Sequence, residues 1–280
     1  ISWNLITWYF GLPSSSSHAL IGGVVGAAFA AAGSSAVLGD GVLGKVLIPA
    51  IIAPILAFIV GAVAIVICYR VVGRLRPGHA GRGYRLGQVV SGGLLALAHG
   101  TNDAQKTMGV ITLALIVSGH QAAEPFHVPL WVKVSAATAM GLGTYAGGWR
   151  IIRTLGQRVA KLEPPQGFSA QTATAFLLWL TAHRGYPVST TYVISGSVLG
   201  AGASTRLSAV RWGVAGNILV AWVITIPCAA LVAAVMELIT RLPGGVAYVF
   251  LLTGLIAGLA FAGRSLETRR LRAAAAGASA

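Results

Sequence analysis

Acidic residues are scarce in this chain. Asp and Glu number 6 among 280 residues, against 20 Lys and Arg, and only 9% of residues are charged. A soluble domain carries about 25% charged residues, so there are too few charges to cover a water-facing surface. The two cysteines lack metal-ligand spacing, and neither a P-loop nor a serine elbow occurs. We therefore expect no enzyme: no catalytic residue, no metal and no bound cofactor.

Hydrophobic residues make up 56% of the chain, and the mean hydropathy is +0.79. A helix needs only about 20 apolar residues to cross a bilayer. Apolar runs lie at Leu5–Leu12, His18–Ala32, Val46–Tyr69, Leu86–Val117, Val128–Gly148, Phe168–Ala182, Ser189–Gly202, Trp212–Met236 and Val246–Ala262. The pattern predicts an all-α, polytopic transmembrane bundle in the inner membrane. Polar residues interrupt the fourth run near His99–Asp103, where we expect an unwound turn.

The net charge of +14 does not indicate a nucleic-acid partner. The basic residues lie in short loops between apolar runs, as the positive-inside rule describes, and no aromatic residues are interleaved with them as in a stacking platform. We expect the basic loops and the C-terminus on the cytoplasmic side, and the other loops outside. The basic groups are Arg70–Arg85, Arg150–Lys161, Arg206–Arg211 and the tail from Arg264, and the outer loops are Gly33–Lys45, Ser118–His127 and Glu237–Gly245.

The chain contains an internal repeat. Gly11–Ala27 (GLPSSSSHALIGGVVGA) aligns with Gly185–Ala201 (GYPVSTTYVISGSVLGA) at a constant offset of 174 residues. The charge distribution requires one copy to open outward and the other inward. This pattern predicts an inverted-topology repeat with re-entrant, broken-helix hairpins at Pro13 and Pro187, as in many secondary transporters.

The repeat suggests how the chain is divided. We expect residues 1–72 to be the remainder of the first repeat and 88–263 to be the second. Residues 73–87 would form a basic cytoplasmic loop, and 264–280 a cytoplasmic tail. Because residues 1–10 read like the end of a spanning segment, we expect the chain to begin partway through a longer protein.

Each repeat copy carries a proline followed by hydroxyl side chains. Proline breaks the incoming helix, and the hydroxyls are suited to cap the next helix, whose N-terminus attracts anions. Two such termini in opposed repeats favour an anion site. The candidate residues are Ser15, Ser16, Ser17, Ser189, Thr190 and Thr191. The alternative is that these hydroxyls only cap helices or bond the backbone.

The second polar feature is AHGTNDAQKTMG at Ala98–Gly109. Asp103 is the only acid inside an apolar run, and a charge near the bilayer centre is functional by default. Asn102 and Asp103 offer oxygen ligands suited to Na⁺, completed by carbonyls of the unwound turn, or Asp103 could carry a proton. The alternative is a structural pair between Asp103 and Lys106, three residues apart on a helix.

Together these motifs resemble the bacterial PiT inorganic phosphate transporters, the low-affinity phosphate permeases, over almost the whole chain. The matching segments are Pro13–Gly23, Gly100–Leu115, Pro187–Thr191 and Arg211–Pro227. The resemblance implies a symporter with phosphate between the two hairpins and H⁺ or Na⁺ near Asn102 and Asp103. We add Gln105 to the phosphate-binding candidates. Whether a divalent metal travels with phosphate stays open.

Two departures from the family pattern stand out. Tyr192 occupies a position where His often follows the Ser-Thr run, and the first-repeat counterpart of the Asn102–Asp103 motif would precede Ile1. We therefore expect half of the cation site to lie outside this sequence, which leaves the activity of this chain open. A sulfate permease of the same fold and an anion channel remain alternatives, and homo-oligomer formation is undecided.

The predicted orientation can be tested by cysteine labelling in a background with Cys68→Ala and Cys228→Ala. We expect a membrane-impermeant maleimide to label a cysteine at Gln121 in intact cells and one at Arg153 only after permeabilisation. Labelling of the Arg153 position in intact cells would reverse the topology.

Overall fold

The computed structural model describes residues 1–72, 77–204 and 206–277, and these residues are almost entirely helical. In chain order the α-helices are α1 (Ser2–Phe10), α2 (Ser16–Ala32), α3 (Gly39–Val42), α4 (Ile48–Val72), α5 (Pro77–Val117), α6 (Leu130–Ala146), α7 (Trp149–Arg153), α8 (Pro164–His183), α9 (Thr190–Ala203), α10 (Trp212–Thr240) and α11 (Gly245–Gly277). Within the described ranges, the single β-type contact is an isolated bridge between Ala160 and Val210. The predicted all-α fold is confirmed.

Three of the helical stretches are long and apolar enough to cross a membrane: Gly39–Val71, Trp212–Thr240 and Gly245–Gly263. Many of their large apolar side chains are exposed, with Ile51 65% exposed, Leu231 67% and Phe250 74%. Exposed apolar surface of this extent marks a contact with lipid or with other protein. The protein is a multi-pass membrane protein, as its composition predicts.

The boundaries of two predicted segments differ from the structure. Helix α5 begins at Pro77, so residues 77–87 are helical rather than a loop, and α11 continues to Gly277 through most of the predicted tail. Arg74 and Arg76, which the sequence places in the basic loop, lie outside the described residues.

The predicted unwound turn near His99–Asp103 is wrong, because α5 runs through it without a break. The polar residues there are spaced three and four apart, at His99, Asp103 and Lys106. Side chains at this spacing meet on one helix face, so they satisfy one another while the backbone stays helical.

The chain divides into two compact units, and each is described by itself. The first unit contains Ile1–Leu38 together with the chain from Asn217 onward. In it α1 packs against α11, where the rings of Trp8 and Phe261 lie 5.5 Å apart. The Arg241 guanidinium donates to the carbonyl oxygens of Ala30 and Ala31 at 2.8 and 3.1 Å, which caps the C-terminal end of α2.

The second unit contains Gly39–Gly216. Its main helix contacts join α4 with α9 and α5 with α8. Polar bonds support this packing: Ser91 donates to Oε1 of Gln171 at 2.8 Å, and Tyr84 donates to the Cys68 carbonyl at 2.9 Å. The buried core consists of Ala57, Leu177, Leu178, Val188 and Val193. This core places the segment that precedes α9 against α5 and α8.

Glycines of the two repeat copies make equivalent close contacts inside their own units. A Cβ added at Gly22 or Gly26 of α2 would lie 2.7 or 2.1 Å from the carbonyl oxygens of Ile226 and Ala230 in α10. Such an atom at Gly196 or Gly200 of α9 would lie 2.4 or 2.0 Å from those of Pro54 and Phe58 in α4. Helix backbones approach this closely only where side chains are absent, as in small-residue packing within membranes.

Alanine at Gly200 should therefore destabilise the second unit, because its methyl group would overlap the Phe58 carbonyl. Overpacking of this kind costs about 1–3 kcal/mol. Gly93 in α5 is a matched control, since no atom lies within 4 Å of the place that a Cβ would take there. Gly93→Ala should be neutral or stabilise by about 0.5–1 kcal/mol, the usual helix preference for alanine. Thermal unfolding of the purified protein in detergent compares the two, and equal midpoints would contradict the packing argument.

Candidate functional site

The first broken helix ends and restarts between Gly11 and Ser15. Gly11 adopts the left-handed conformation (φ 69°), and the Leu12 amide donates to the Thr7 carbonyl at 2.9 Å, which closes the C-terminus of α1. The Ser15 hydroxyl then accepts the His18 amide at 3.0 Å and caps α2. Pro13 between them is fully buried. The break therefore lies where the sequence predicts it: Gly11 ends the first helix, and Ser15 starts the next.

Side chains of α10 hold this break in place within the first unit. The indole Nε1 of Trp222 donates to the Pro13 carbonyl at 2.9 Å, and that of Trp3 donates to Oγ1 of Thr225 at 3.0 Å. The Thr7 and Ser14 hydroxyls share a hydrogen bond of 2.6 Å across the break. Carbonyl groups released by a helix break need partners inside a membrane, and Trp222 supplies one.

The second broken helix repeats the left-handed glycine, the backbone turn and the serine cap of the first, 174 residues later. Gly185 is left-handed with the same φ of 69°, and the Tyr186 amide donates to the Thr181 carbonyl at 3.0 Å. The Ser189 hydroxyl accepts the Tyr192 amide at 3.4 Å and caps α9. The repeated sequence thus folds into a repeated local structure. The membrane orientation of the two copies stays a prediction.

A buried charged cluster lies on α5. The Asp103 carboxylate accepts from Nζ of Lys106 at 3.1 Å through Oδ1, and Nε2 of His99 lies 3.1 Å from Oδ2. The side chains of Asp103 and Lys106 are only 10% and 14% exposed, whereas that of His99 is 51% exposed. The structural alternative for Asp103, a pair with Lys106, is therefore present. It does not by itself decide the role of Asp103.

The cluster contacts the break that precedes α9. Lys106 donates to the Val188 carbonyl at 2.8 Å, and the Thr190 hydroxyl donates to Oδ2 of Asp103 at 3.4 Å. The structure thus brings together two features that the sequence identified separately, the Asn-Asp motif and the Pro-Ser/Thr motif of the second repeat. It also links Thr190, an anion candidate, directly to Asp103, a cation candidate.

Asn102 lies beside the cluster with a different environment. Its side chain is buried, and its Nδ2 atom has no hydrogen-bond partner among the described residues. Asn102, Thr101 and Gln105 line one side of a cavity of about 670 Å³ between α5 and α8. Most of the other lining residues are apolar, including Leu94, Phe176 and Trp179. Gln105 is exposed and lines this cavity.

The candidates of the first repeat belong to the other unit. Ser15 and Ser17 are buried, and Ser16 is exposed at the start of α2. In the second unit Ser189 and Thr190 are buried, and Thr191 is partly exposed. The predicted meeting of the two breaks around one anion stays a prediction.

Sequence reasoning missed three contributors. Trp222 carried no signal, because it lies in a uniformly apolar run and has no aromatic counterpart in α4. The Val188 carbonyl was missed because a backbone group has no sequence signature. The contact of His99 with Asp103 could have been found, since the two residues are four apart on one helix; from the sequence alone, His99 fits a cavity role and a packing role equally well.

Comparison with known proteins finds a family and relatives that are all named phosphate transporters. The profile of the phosphate transporter family matches residues 1–82 and 76–233. A protein of Mycobacterium bovis named a probable low-affinity inorganic phosphate transporter is 52% identical over 245 residues, which are 88% of this chain and 59% of that protein. A Bacillus subtilis protein with the same name is 44% identical over 243 residues, or 86% of this chain and 72% of that protein.

One solved structure has a related fold. It is titled the sodium-dependent phosphate transporter, and its TM-score is 0.74 at 19% identity, covering 85% of this chain and 76% of that chain. At this identity the likeness concerns the fold alone. The present chain spans 59% of the length of its mycobacterial relatives.

The energetic link between Asp103 and Lys106 can be measured with a double-mutant cycle. Removing one partner of a buried pair costs roughly 3–5 kcal/mol because the other charge is left uncompensated. Asp103→Asn and Lys106→Met should therefore each destabilise the protein, and the double variant should lose less stability than the sum of the two single variants. We expect an interaction energy within roughly 0.5–3 kcal/mol from thermal or denaturant unfolding in detergent. Strictly additive effects would mean that the pair contributes nothing to stability.

Proposed function

Because this chain belongs to the phosphate transporter family, whose members are transporters rather than enzymes, we propose that the protein containing it is a secondary active symporter. It moves inorganic phosphate across the inner membrane with a gradient of H⁺ or Na⁺. Phosphate would be bound alternately from the two sides of the membrane, at a site between opposed repeats.

The contact between the α5 charge cluster and the start of α9 is the observation that carries this proposal. A helix N-terminus offers unsatisfied backbone N–H groups and a partial positive charge, which suit a phosphate oxygen. Here α9 begins at Thr190, two residues after Val188, whose carbonyl accepts from Lys106. An anion-attracting group and a buried carboxylate thus share one location, which is what coupled transport of an anion and a cation requires.

We assign phosphate binding to the hydroxyl residues at the two helix starts. They are Ser15, Ser16 and Ser17 of α2, and Ser189, Thr190 and Thr191 of α9. The shared turn geometry of the two breaks supports equal treatment of the two sets. Gln105 is retained as a contributor from the neighbouring cavity, where its amide could meet phosphate on its path.

Asn102 and Asp103 are assigned to cation or proton coupling. Phosphate is negatively charged at neutral pH, so the Asp103 carboxylate repels it unless a cation, a proton or the Lys106 ammonium intervenes. Bound cation and bound phosphate should therefore strengthen each other, with a reciprocal coupling free energy of about 1–3 kcal/mol. The Nδ2 atom of Asn102, which has no partner within the described part of the chain, adds a donor that an oxygen of the substrate would satisfy.

The orientation and the assembly state belong to the proposal as well. The basic loops and the C-terminus are placed in the cytoplasm because of their Lys and Arg content. Assembly of several copies is compatible with this arrangement and is not required by it.

The function is tested by radiolabelled phosphate uptake into liposomes containing the full-length protein, with Na⁺ and pH gradients imposed separately. A symporter concentrates phosphate and stops when the driving gradient is collapsed. Unlabelled phosphate, but not sulfate, should compete. Uptake that only equilibrates would indicate a channel, and equal competition by sulfate would indicate a general oxyanion permease.

Variants of the second repeat test the division of roles. Asp103→Asn should abolish concentrative uptake and weaken the ion dependence, because the carboxylate is removed. Thr190→Val should raise the phosphate KM about tenfold at fixed cation, the effect of losing one hydrogen bond worth about 1–1.5 kcal/mol. Thr144→Val is the matched control, since Thr144 only back-bonds to Met140 on the surface of α6. If Asp103→Asn concentrates phosphate with an unchanged ion dependence, Asp103 is only a structural partner of Lys106.

A further inference from the structure

The ammonium group of Lys106 occupies a position with the ligands of a small cation. It lies 3.1 Å from a carboxylate oxygen of Asp103 and 2.8 Å from the carbonyl oxygen of Val188. The carbonyl comes from irregular backbone just before a helix, and the carboxylate from the opposing helix. Backbone carbonyls at helix breaks are the groups that coordinate Na⁺ in transporters built from broken helices.

From this geometry we propose that Lys106 is a built-in cation that fills the coupling position beside Asp103 and excludes a free Na⁺ from it. The inference rests on the proposed phosphate transport and specifies its ion selectivity in this half of the protein. Lys106 is thus a specificity-determining residue, and Asp103 is neutralised by the chain itself.

Electrostatics and geometry both support the assignment. A Na⁺ bound by Asp103 and the Val188 carbonyl would lie next to the Lys106 ammonium, and like charges at contact distance repel strongly in a poorly solvated site. The Lys106 side chain is only 14% exposed, so its ammonium group lies in the buried site and not in open solvent. Lysine also carries three donors and no acceptor, so it offers nothing to a second cation.

The position also explains how a buried carboxylate can lie next to an anion-attracting helix start. The Lys106 charge offsets Asp103, so the negative potential at the start of α9 is reduced without any bound ion. Thr190 strengthens the same link, because its hydroxyl donates to the other carboxylate oxygen at 3.4 Å. Phosphate affinity in this half of the protein should therefore not require Na⁺ at Asp103.

The test compares variants of the full-length transporter in liposomes at one fixed pH, with NaCl or choline chloride at equal ionic strength. Lys106→Met vacates the position without adding a ligand, Lys106→Arg keeps a positive charge, and Lys133→Met changes an exposed lysine of α6. We expect the Na⁺/choline ratio of uptake rates to rise about fivefold or more in Lys106→Met, the lower range of typical ligand coupling. The ratio should equal that of the wild type in Lys106→Arg and Lys133→Met.

A second readout keeps the test decisive if Lys106→Met does not transport. The melting temperature of the purified protein in detergent should rise with added NaCl, relative to choline chloride, by several degrees more in Lys106→Met than in the wild type. A Lys106→Met protein that gains no Na⁺ response in either assay overturns the inference, as does an equal gain in Lys106→Arg. Absence of phosphate uptake in the wild type would instead refute the proposed function, and the melting comparison would still test Lys106.

Discussion

A buried carboxylate that must be neutralised is the constraint on which the second unit depends. Asp103 lies in a helix surrounded by apolar residues, where an uncompensated charge is expensive. Lys106 and His99 meet it from positions one turn away on α5, and Thr190 meets it from α9. Because Lys106 also bonds the Val188 carbonyl, the same cluster holds the backbone before α9 against α5.

The glycine contacts show how a broken helix is kept rigid beside such a site. In the second unit α9 packs on α4 through Gly196 and Gly200, and in the first unit α2 packs on α10 through Gly22 and Gly26. Each unit therefore combines the broken-helix segment of one repeat copy with the proline-containing helix that follows the other copy. Backbone-to-backbone packing of this kind leaves little freedom at the interface, so a helix start can hold a fixed direction toward a ligand.

The parts of this structure that follow local rules could be predicted from the sequence. The prolines, the left-handed glycines and the capping serines act within a few residues, so Pro13–Ser15 and Pro187–Ser189 marked both breaks correctly. Composition was sufficient for the all-helical membrane fold, and the motifs were sufficient for the family, both of which are confirmed. The polar run at His99–Lys106 was misread because residues three and four apart can pair on an intact helix as readily as they can line a broken one.

The remaining contacts depend on tertiary structure. Nothing in the sequence around Trp222 shows that its indole bonds the Pro13 carbonyl 209 residues away. Likewise, the proximity of Lys106 to Val188 depends on the packing of α9 and α8 against α5, which no local pattern encodes. The sequence therefore identified the two polar motifs as separate features, and the packing determined which of their residues touch.

The arrangement at Asp103 can be tested most directly by an experimental structure of the full-length protein with phosphate bound. The account predicts phosphate density at the start of α9, beside Ser189 and Thr191. It also predicts that the Lys106 ammonium remains within hydrogen-bond distance of Asp103 and the Val188 carbonyl. Phosphate bound away from both helix starts, or a bound ion in place of the Lys106 ammonium, would contradict it.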